Sequence, residues 1–288
     1  MRVVTRFAPS PTGRLHLGHA FSALLAHDFA RSRDGAFLLR IEDIDPGRSR
    51  SEHVDSIIED LAWLGIEWDG AILFQSERLD LYAAALERLK AAGLVYPCFC
   101  TRSAIAAENA ASAAAPHGPD GPLYPGTCRG LTPGERERRA AAEPHAWRLD
   151  VARAAARAGP LYWRDGDTEV QSEPETHGDV VLARKDAPVS YHLAVTVDDG
   201  AQEVTDVVRG RDLYAATDVH RLLQALLGLP TPLYHHHPLL LGGDGQRLAK
   251  RHGAPTLGAL REAGADPEAL RTHLLAGRLP SGYSAGGA

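Results

Sequence analysis

Apolar positions near the start of the chain switch between two periods. Arg2 to Phe7 reads as a short strand whose apolar run opens at Val3-Val4, and Ala8-Pro9-Ser10-Pro11-Thr12-Gly13 supplies the turn residues that end it. A helix is predicted from about His16 to Gly18 through Ala30, and a second buried strand over Ala36 to Ile41. Val54, Ile57, Ile58, Leu61 and Leu64 then share one helical face before Gly65. Leu79, Tyr82, Ala83, Leu86 and Leu89 repeat that spacing. Strand, helix, strand, helix predicts an α/β fold with a parallel sheet.

The rhythm breaks from Tyr96 to about Gly130, which reads as an insertion. Its middle, Ala104 to Pro122, is rich in Ala, Gly and Pro without useful periodicity and predicts a mobile loop with one frayed helical turn. Thr132-Pro133-Gly134-Glu135 combines an N-cap, a proline at the first helical position and an acid placed for a capping box, so a helix is predicted there. Ala146 to Val151, Val180 to Ala183, Tyr191 to Val197, Val204 to Val208 and Tyr234 to Leu241 are predicted strands. A helix is expected from about Thr217 to Leu227, ended by Gly228 and Pro230. No internal repeat is visible.

With 288 residues, 44% of them apolar, the chain can bury a large core, which excludes a disordered or fibrous class. No signal-peptide h-region follows Met1, and no apolar run approaches the roughly 20 residues that span a bilayer. A soluble cytoplasmic protein that does not engage a membrane is expected. The net charge of −6 gives no overall basic field, so any RNA binding must come from local patches. Cys98, Cys100 and Cys128 cannot all pair internally, and the single residue between the first two suits a metal better than a disulfide. A reducing compartment follows.

Candidate chemistry starts at the first helix. His16 and His19 stand three residues apart at its mouth, where both can face one ligand. The free N–H groups and partial positive charge of a helix N-terminus suit a triphosphate, and Gly18 lets a flat adenine approach the backbone. Two histidines at a helix start are by themselves ordinary surface residues. The full string Arg6-Phe7-Ala8-Pro9-Ser10-Pro11-Thr12-Gly13-Arg14-Leu15-His16-Leu17-Gly18-His19, however, resembles the HIGH signature of class I aminoacyl-tRNA synthetases in the form used by the glutamyl and glutaminyl branch.

Downstream, Leu240 to Arg251 resembles the second signature of that class, the mobile KMSKS loop, which in this branch often reads Lys-Leu-Ser-Lys-Arg. Leu248, Lys250 and Arg251 keep that form, whereas Arg247 and Ala249 depart from it. A glycine-flanked Lys250 is placed to meet the charge that develops as pyrophosphate leaves. Arg40-Ile41-Glu42-Asp43-Ile44-Asp45 is similar to the family's Arg-Ile-Glu-Asp-Thr-Asp, and Glu42 matches the position that holds the amino group. The segments Ser190 to Asp199 and Val204 to Gly210 resemble those whose Tyr and Arg line the amino-acid pocket. Arg6, Tyr191 and Arg209 become its polar walls by that likeness, with Phe7, Ala8, Pro9 and Ser10 beside them; the arginines are not assigned to individual carboxylates.

The resemblance implies activation of L-glutamate by ATP, with magnesium carried by the nucleotide. The substrate carboxylate attacks the α-phosphorus while His16, His19 and Lys250 stabilise the transition state. Cys98, Cys100 and Cys128 supply three thiolates of a structural zinc site. Tyr124 matches the fourth ligand of the short glutamyl-synthetase paralogues, and His117 is the more ordinary chemical choice. His235-His236-His237 lies on a predicted strand and points to alternate faces, so the three cannot converge on one ion; His235 or His237 is expected near the nucleotide.

In family terms the chain divides into the first half of a Rossmann-like catalytic domain (1–95), an inserted zinc-binding subdomain (96–185), the second half with the KMSKS-like loop (186–250) and a short helical extension (251–288). Only 38 residues follow Lys250, so no anticodon-binding domain is expected. That truncation and the Cys/Tyr insertion resemble the short paralogues that activate glutamate without tRNA and transfer it to the queuosine base in the anticodon loop of tRNA(Asp). A monomer is expected. The alternatives are a minimal enzyme charging a tRNA 3′ end, a non-catalytic nucleotide- or RNA-binding paralogue, and a small-molecule adenylyltransferase.

Overall fold

A computed structural model describes residues 2–111, 117–119, 121–242, 256–276 and 283–285. The chain opens with β1 (Val4–Phe7), α1 (Leu17–Arg31), β2 (Ala36–Ile41), α2 (Ser51–Trp63), β3 (Leu73–Phe74) and α3 (Leu79–Ala91). β1 pairs with β2 and β2 with β3, both in parallel, as the alternation of elements predicts. Gly35 makes the turn from α1 into β2 possible, because a Cβ there would lie 2.7 Å from the Val3 carbonyl oxygen.

An antiparallel sheet then interrupts the parallel one: β4 (Val95–Cys98), α4 (Arg102–Ala111), the short pair β5 (His117–Gly118) and β6 (Gly121–Pro122), α5 (Pro133–Ala142), β7 (Ala146–Leu149), α6 (Val151–Ala158), the hairpin β8 (Tyr162–Asp165) and β9 (Thr168–Gln171), and β10 (Val181–Ala183). β7 lies between β10 and β4. α5 carries the expected capping box, Thr132 and Glu135 each bonding to the other's backbone.

The chain returns to parallel geometry through α7 (Tyr191–Ala201), β11 (Asp206–Gly210), α8 (Ala216–Leu227) and β12 (Leu233–His237), with β11 parallel to β12 and β12 to β8. Last come β13 (Leu240–Gly242), α9 (Leu257–Glu262), α10 (Pro267–Leu275) and β14 (Tyr283–Ala285), which pairs with β13. Thr205 joins the two parallel sheets: its N–H donates to the Val4 carbonyl (3.0 Å) and its Oγ1 accepts from the Val4 N–H (2.8 Å).

Among the described residues two large apolar cores result, with smaller clusters around Cys98 and around Trp163. One packs α1, α2, α9 and α10 on β1 and β2 through Leu17, Leu24, Leu39, Ile57, Leu61, Leu257 and Leu274. The other joins α3, α6, α7 and α8 to the antiparallel sheet through Tyr82, Leu86, Leu149, Leu193, Leu222 and Leu223. Burying each such side chain contributes about 1.5–3 kcal/mol. No described helix is long and apolar enough to cross a membrane.

Two expectations are corrected, and one element was not foreseen. Tyr191 to Val197 is not a strand but most of α7. That helix is buried on nearly every side from Leu193 to Asp199, so its β-branched residues show no polar face with helical period. The predicted loop from Ala104 contains the last two turns of α4, a ten-residue helix entered at Thr101, whose Oγ1 accepts from the Ala104 N–H (3.1 Å). Alanine there is a helix former and not a loop residue. The β8–β9 hairpin carries a signal that the alternation did not weigh, Asp165-Gly166 between two strands.

Candidate active site

Strand ends build the site. Arg6 lies one residue before the end of β1, Glu42 directly follows β2, and Arg209 lies one residue before the end of β11. These are carboxyl ends of parallel strands, where open α/β sheets bind ligands. Together with Phe7, Ala8, Ser10 and Tyr191 they line a cavity of about 380 Å³. Pro9 stands behind this wall, its carbonyl accepting the Glu42 N–H (3.0 Å). Leu17 is fully buried in the first core.

The adjoining wall is the N-terminus of α1, with His16, Gly18 and His19 facing the same cavity. His16 is the N-cap: its Nδ1 accepts from the Gly18 N–H (3.1 Å), and His19 Nδ1 accepts from the His16 N–H (3.2 Å). A ring nitrogen that accepts a hydrogen bond cannot hold the hydrogen, so both imidazoles carry it on Nε2. A Cβ on Gly18 would stand 3.0 Å from His16 Cε1, so the cap itself favours glycine. Arg247, Leu248, Ala249, Lys250 and Arg251 lie outside the described residues.

The two pocket arginines differ in partners. Arg6, 5% exposed, donates from Nε and Nη2 to the Asp199 carboxylate (3.0 and 3.3 Å), which also binds the fully buried Arg40. Burial alone would raise Asp199, but the two guanidiniums outweigh it and hold the acid below the ordinary carboxylate range. Arg209, equally buried, has no carboxylate partner among the described residues. Its hydrogen bonds go to His236, His220, Thr217 and the Leu213 carbonyl.

Across the cavity, burial pushes the Glu42 carboxyl up to about 7, against the pull of Arg40 and Arg6. Burial also pushes the Tyr191 phenol up to about 12, with Arg209 opposing it. The pocket thus combines a compensated arginine, an arginine beside neutral acceptors and an acid that ionises near neutrality. That set fits a zwitterion bearing a second carboxylate.

The triple histidine alternates as expected. His235 bonds Asp206 (2.8 Å) beside Phe29, His237 bonds Ser22 Oγ (2.9 Å) beside Phe21 and reaches the cavity, and His236 turns the other way toward Arg209 and Asp165. Sequence reasoning missed His220 and the roles of His236 and Asp199 in this wall. Asp199 sits inside the string around Tyr191, but no short motif joins His220 on α8 to Arg209 on β11.

A second cleft of about 480 Å³ shares Ser10, Glu42 and Tyr191 with the first and runs to Tyr124. There the sulfurs of Cys98, Cys100 and Cys128 lie within 4.8 Å of one another, Cys100 and Cys128 at 3.5 Å. Tyr124 Oη stands 3.5 Å from Cys98 Sγ and 3.6 Å from Cys100 Sγ. Zinc with Zn–S bonds of about 2.3 Å places tetrahedral ligands about 3.8 Å apart, so the donors and spacing fit such an ion. The Phe99 N–H points at Cys128 Sγ and Arg148 Nε at Cys98 Sγ, as outer partners of thiolates do. The side chain of His117, the alternative donor, lies outside the described ones.

Residues 2–282 match the model of class I tRNA synthetases (E and Q), catalytic domain. A glutamyl-Q tRNA(Asp) synthetase from Rhodobacter capsulatus is 51% identical over 93% of this chain and 98% of its own length. One from Symbiobacterium thermophilum is 47% identical, over 93% and 84%. A glutamate–tRNA ligase from Aquifex aeolicus is 41% identical, but the match covers only 56% of it. Among solved structures, the glutamate-tRNA synthetase of Elizabethkingia anophelis superposes with a TM-score of 0.80 at 28% identity, over 98% of this chain and 63% of that one. A glutamate tRNA ligase from Elizabethkingia meningosepticum, solved in complex with its amino acid, gives 0.78 at 28% identity, over 95% and 60%.

Proposed function

The chain belongs to the class I glutamyl and glutaminyl tRNA synthetases by its catalytic domain, and from that membership we propose that it activates L-glutamate with ATP and transfers it to the queuosine base of tRNA(Asp). The observation that carries the amino-acid half is the pair of unlike arginines facing Glu42 in one cavity. Glu42 receives the substrate ammonium, and Arg209 receives the side-chain carboxylate. The α-carboxylate, left beside the N-terminus of α1, attacks the α-phosphorus of ATP. No covalent nucleophile on the protein is required, because the substrate oxygen forms the new bond and pyrophosphate leaves.

His16 and His19 present Nε2–H donors to the triphosphate, and Lys250 meets the charge that accumulates on the leaving pyrophosphate. The RNA half of the proposal rests on the relatives of nearly equal length, which carry the glutamyl-Q name. The second cleft, continuous with the glutamate pocket at Ser10, Glu42 and Tyr191, offers the acceptor base a way to the adenylate. Its hydroxyl attacks the acyl carbon and AMP leaves. Cys98, Cys100, Tyr124 and Cys128 hold one zinc ion, whose chemistry is structural: it ties β4 to the segment before α5.

Glutamate-dependent exchange of pyrophosphate into ATP, without tRNA, tests the first step. The second is tested with labelled glutamate and tRNA(Asp) cut by a base-specific ribonuclease: the label should remain on the anticodon fragment. Label on the terminal adenosine, or equal labelling of tRNA lacking queuosine, would identify a charging enzyme instead. Elemental analysis of the reduced protein after metal-replete growth should find about one zinc per chain, and none would remove the metal from the reading.

A further inference from the structure

The shell around Arg209 is built without a counter-charge. A guanidinium has five N–H donors, and four are taken: Nε by His236 Nε2 (3.1 Å), Nη1 by His220 Nδ1 (3.3 Å), and Nη2 by the Leu213 carbonyl (3.0 Å) and Thr217 Oγ1 (2.7 Å). Every one of these acceptors is uncharged. Arg6, on β1 and lining the same cavity, is instead clamped by a carboxylate. A buried cation without an anion is costly to a fold, so the difference calls for a ligand to complete it.

Because an arginine only donates, its bonds fix the histidine tautomers. His236 must carry its hydrogen on Nδ1, which donates to Asp165 Oδ1 (3.0 Å), an atom also bound by the His236 backbone N–H. His220 must carry its hydrogen on Nε2, which donates to His192 Nδ1 (3.2 Å). Burial, reinforced by the adjacent guanidinium, pushes His236 down to about 4 and His220 well below its ordinary range, so neither ring is charged at neutral pH. The rings are anchored from β8 on one side and α7 on the other.

We propose that His220 and His236 are positioning residues that set the charge of the amino-acid pocket: as neutral acceptors they orient Arg209 while leaving its positive charge for the substrate's side-chain carboxylate, so the site selects an acidic amino acid over its amide. This rests on the glutamate-activating reading. An amide in the same place would leave the buried guanidinium uncompensated, whereas a carboxylate completes it. An acid built into the shell would do the substrate's part, as Asp199 does for Arg6.

The decisive comparison is His220→Asp with His220→Asn. The two side chains share one shape, and either can place an oxygen where Nδ1 accepts from Arg209; only one carries a charge. The expected result is a KM for glutamate at least about tenfold higher in the Asp variant than in the Asn variant, with KM for ATP agreeing within about twofold and a smaller preference for glutamate over glutamine. Equal KM for glutamate in the two variants would overturn the proposal and leave His220 a packing residue. Thr217→Asp against Thr217→Asn repeats the comparison at another acceptor should His220→Asp fail to fold by thermal melt. Calorimetric binding of glutamate separates the two layers of argument. Binding without exchange in the parent protein would count against the proposed reaction and still judge the shell, and no binding in the parent would remove both.

Discussion

Glu42 shows how one side chain couples pH to both fold and ligand. Its ordinary value of 4.5 is raised to about 7 by burial, so the fold disfavours the ionised form. The free protein therefore loses stability as pH rises from that ordinary value through about 7, and under the proposed function an ammonium bound beside the carboxylate would restore it. We expect KM for glutamate to rise as pH falls below about 7, and the increase in Tm caused by glutamate to grow between pH about 6 and about 8. Glu42→Gln should flatten both dependences and raise KM at least about tenfold. Thermal melts with and without glutamate across that range check this; parallel profiles for the parent and the Gln variant would separate Glu42 from the ammonium. At this scale the strings around Arg6, Glu42, Tyr191 and Arg209 led to side chains that meet in one cavity. The histidines behind Arg209 stayed out of reach, because their pattern is a set of hydrogen bonds among separate elements and not a spacing in the chain.

At the scale of elements, α1 shows that a cap and a cavity wall can be the same atoms. His16 closes the helix N-terminus, and its backbone bridges Thr256 at the start of α9. His16→Ala should therefore cost about 0.5–2 kcal/mol of stability, whereas His16→Asn, a good N-cap, keeps most of it. Both should slow adenylate formation by about a hundredfold or more, since neither supplies the Nε2–H donor. Urea unfolding beside pyrophosphate exchange checks this: a stable Asn variant with parental exchange would reduce His16 to a cap. α1 and α2 were legible from the helical spacing of their apolar residues, and β2 from its short buried apolar run. α7 was not, because a helix enclosed on all sides has no polar stripe to reveal its period; nor was α4, whose alanines match loop composition but favour helix.

Across the whole molecule, Asp199 ties the two halves together. It projects from α7 to Arg6 on β1 and Arg40 on β2, with Gln202 bonding Arg40 as well. Asp199→Asn leaves two buried cations short of a counter-charge, and we expect a loss of about 3–5 kcal/mol in chemical unfolding. Its depressed value means that the parent's share of this stability is present at neutral pH and is lost as pH falls through the acid range, whereas the Asn variant should lack that dependence. The parallel order of β1 and β2 follows from the alternation of apolar runs, but the meeting of β1 with β11, about two hundred residues apart, has no local signature. Among the described residues that meeting is stitched at Thr205, at the amino ends of the strands. Toward the opposite ends, Phe21, Val208 and Leu240 both pack in the core and line the cavity. The pocket is therefore evolvable in width, since ordinary apolar replacements can resize it without unzipping a ladder, while the Thr205 seam lies at the other ends of the strands, outside its lining.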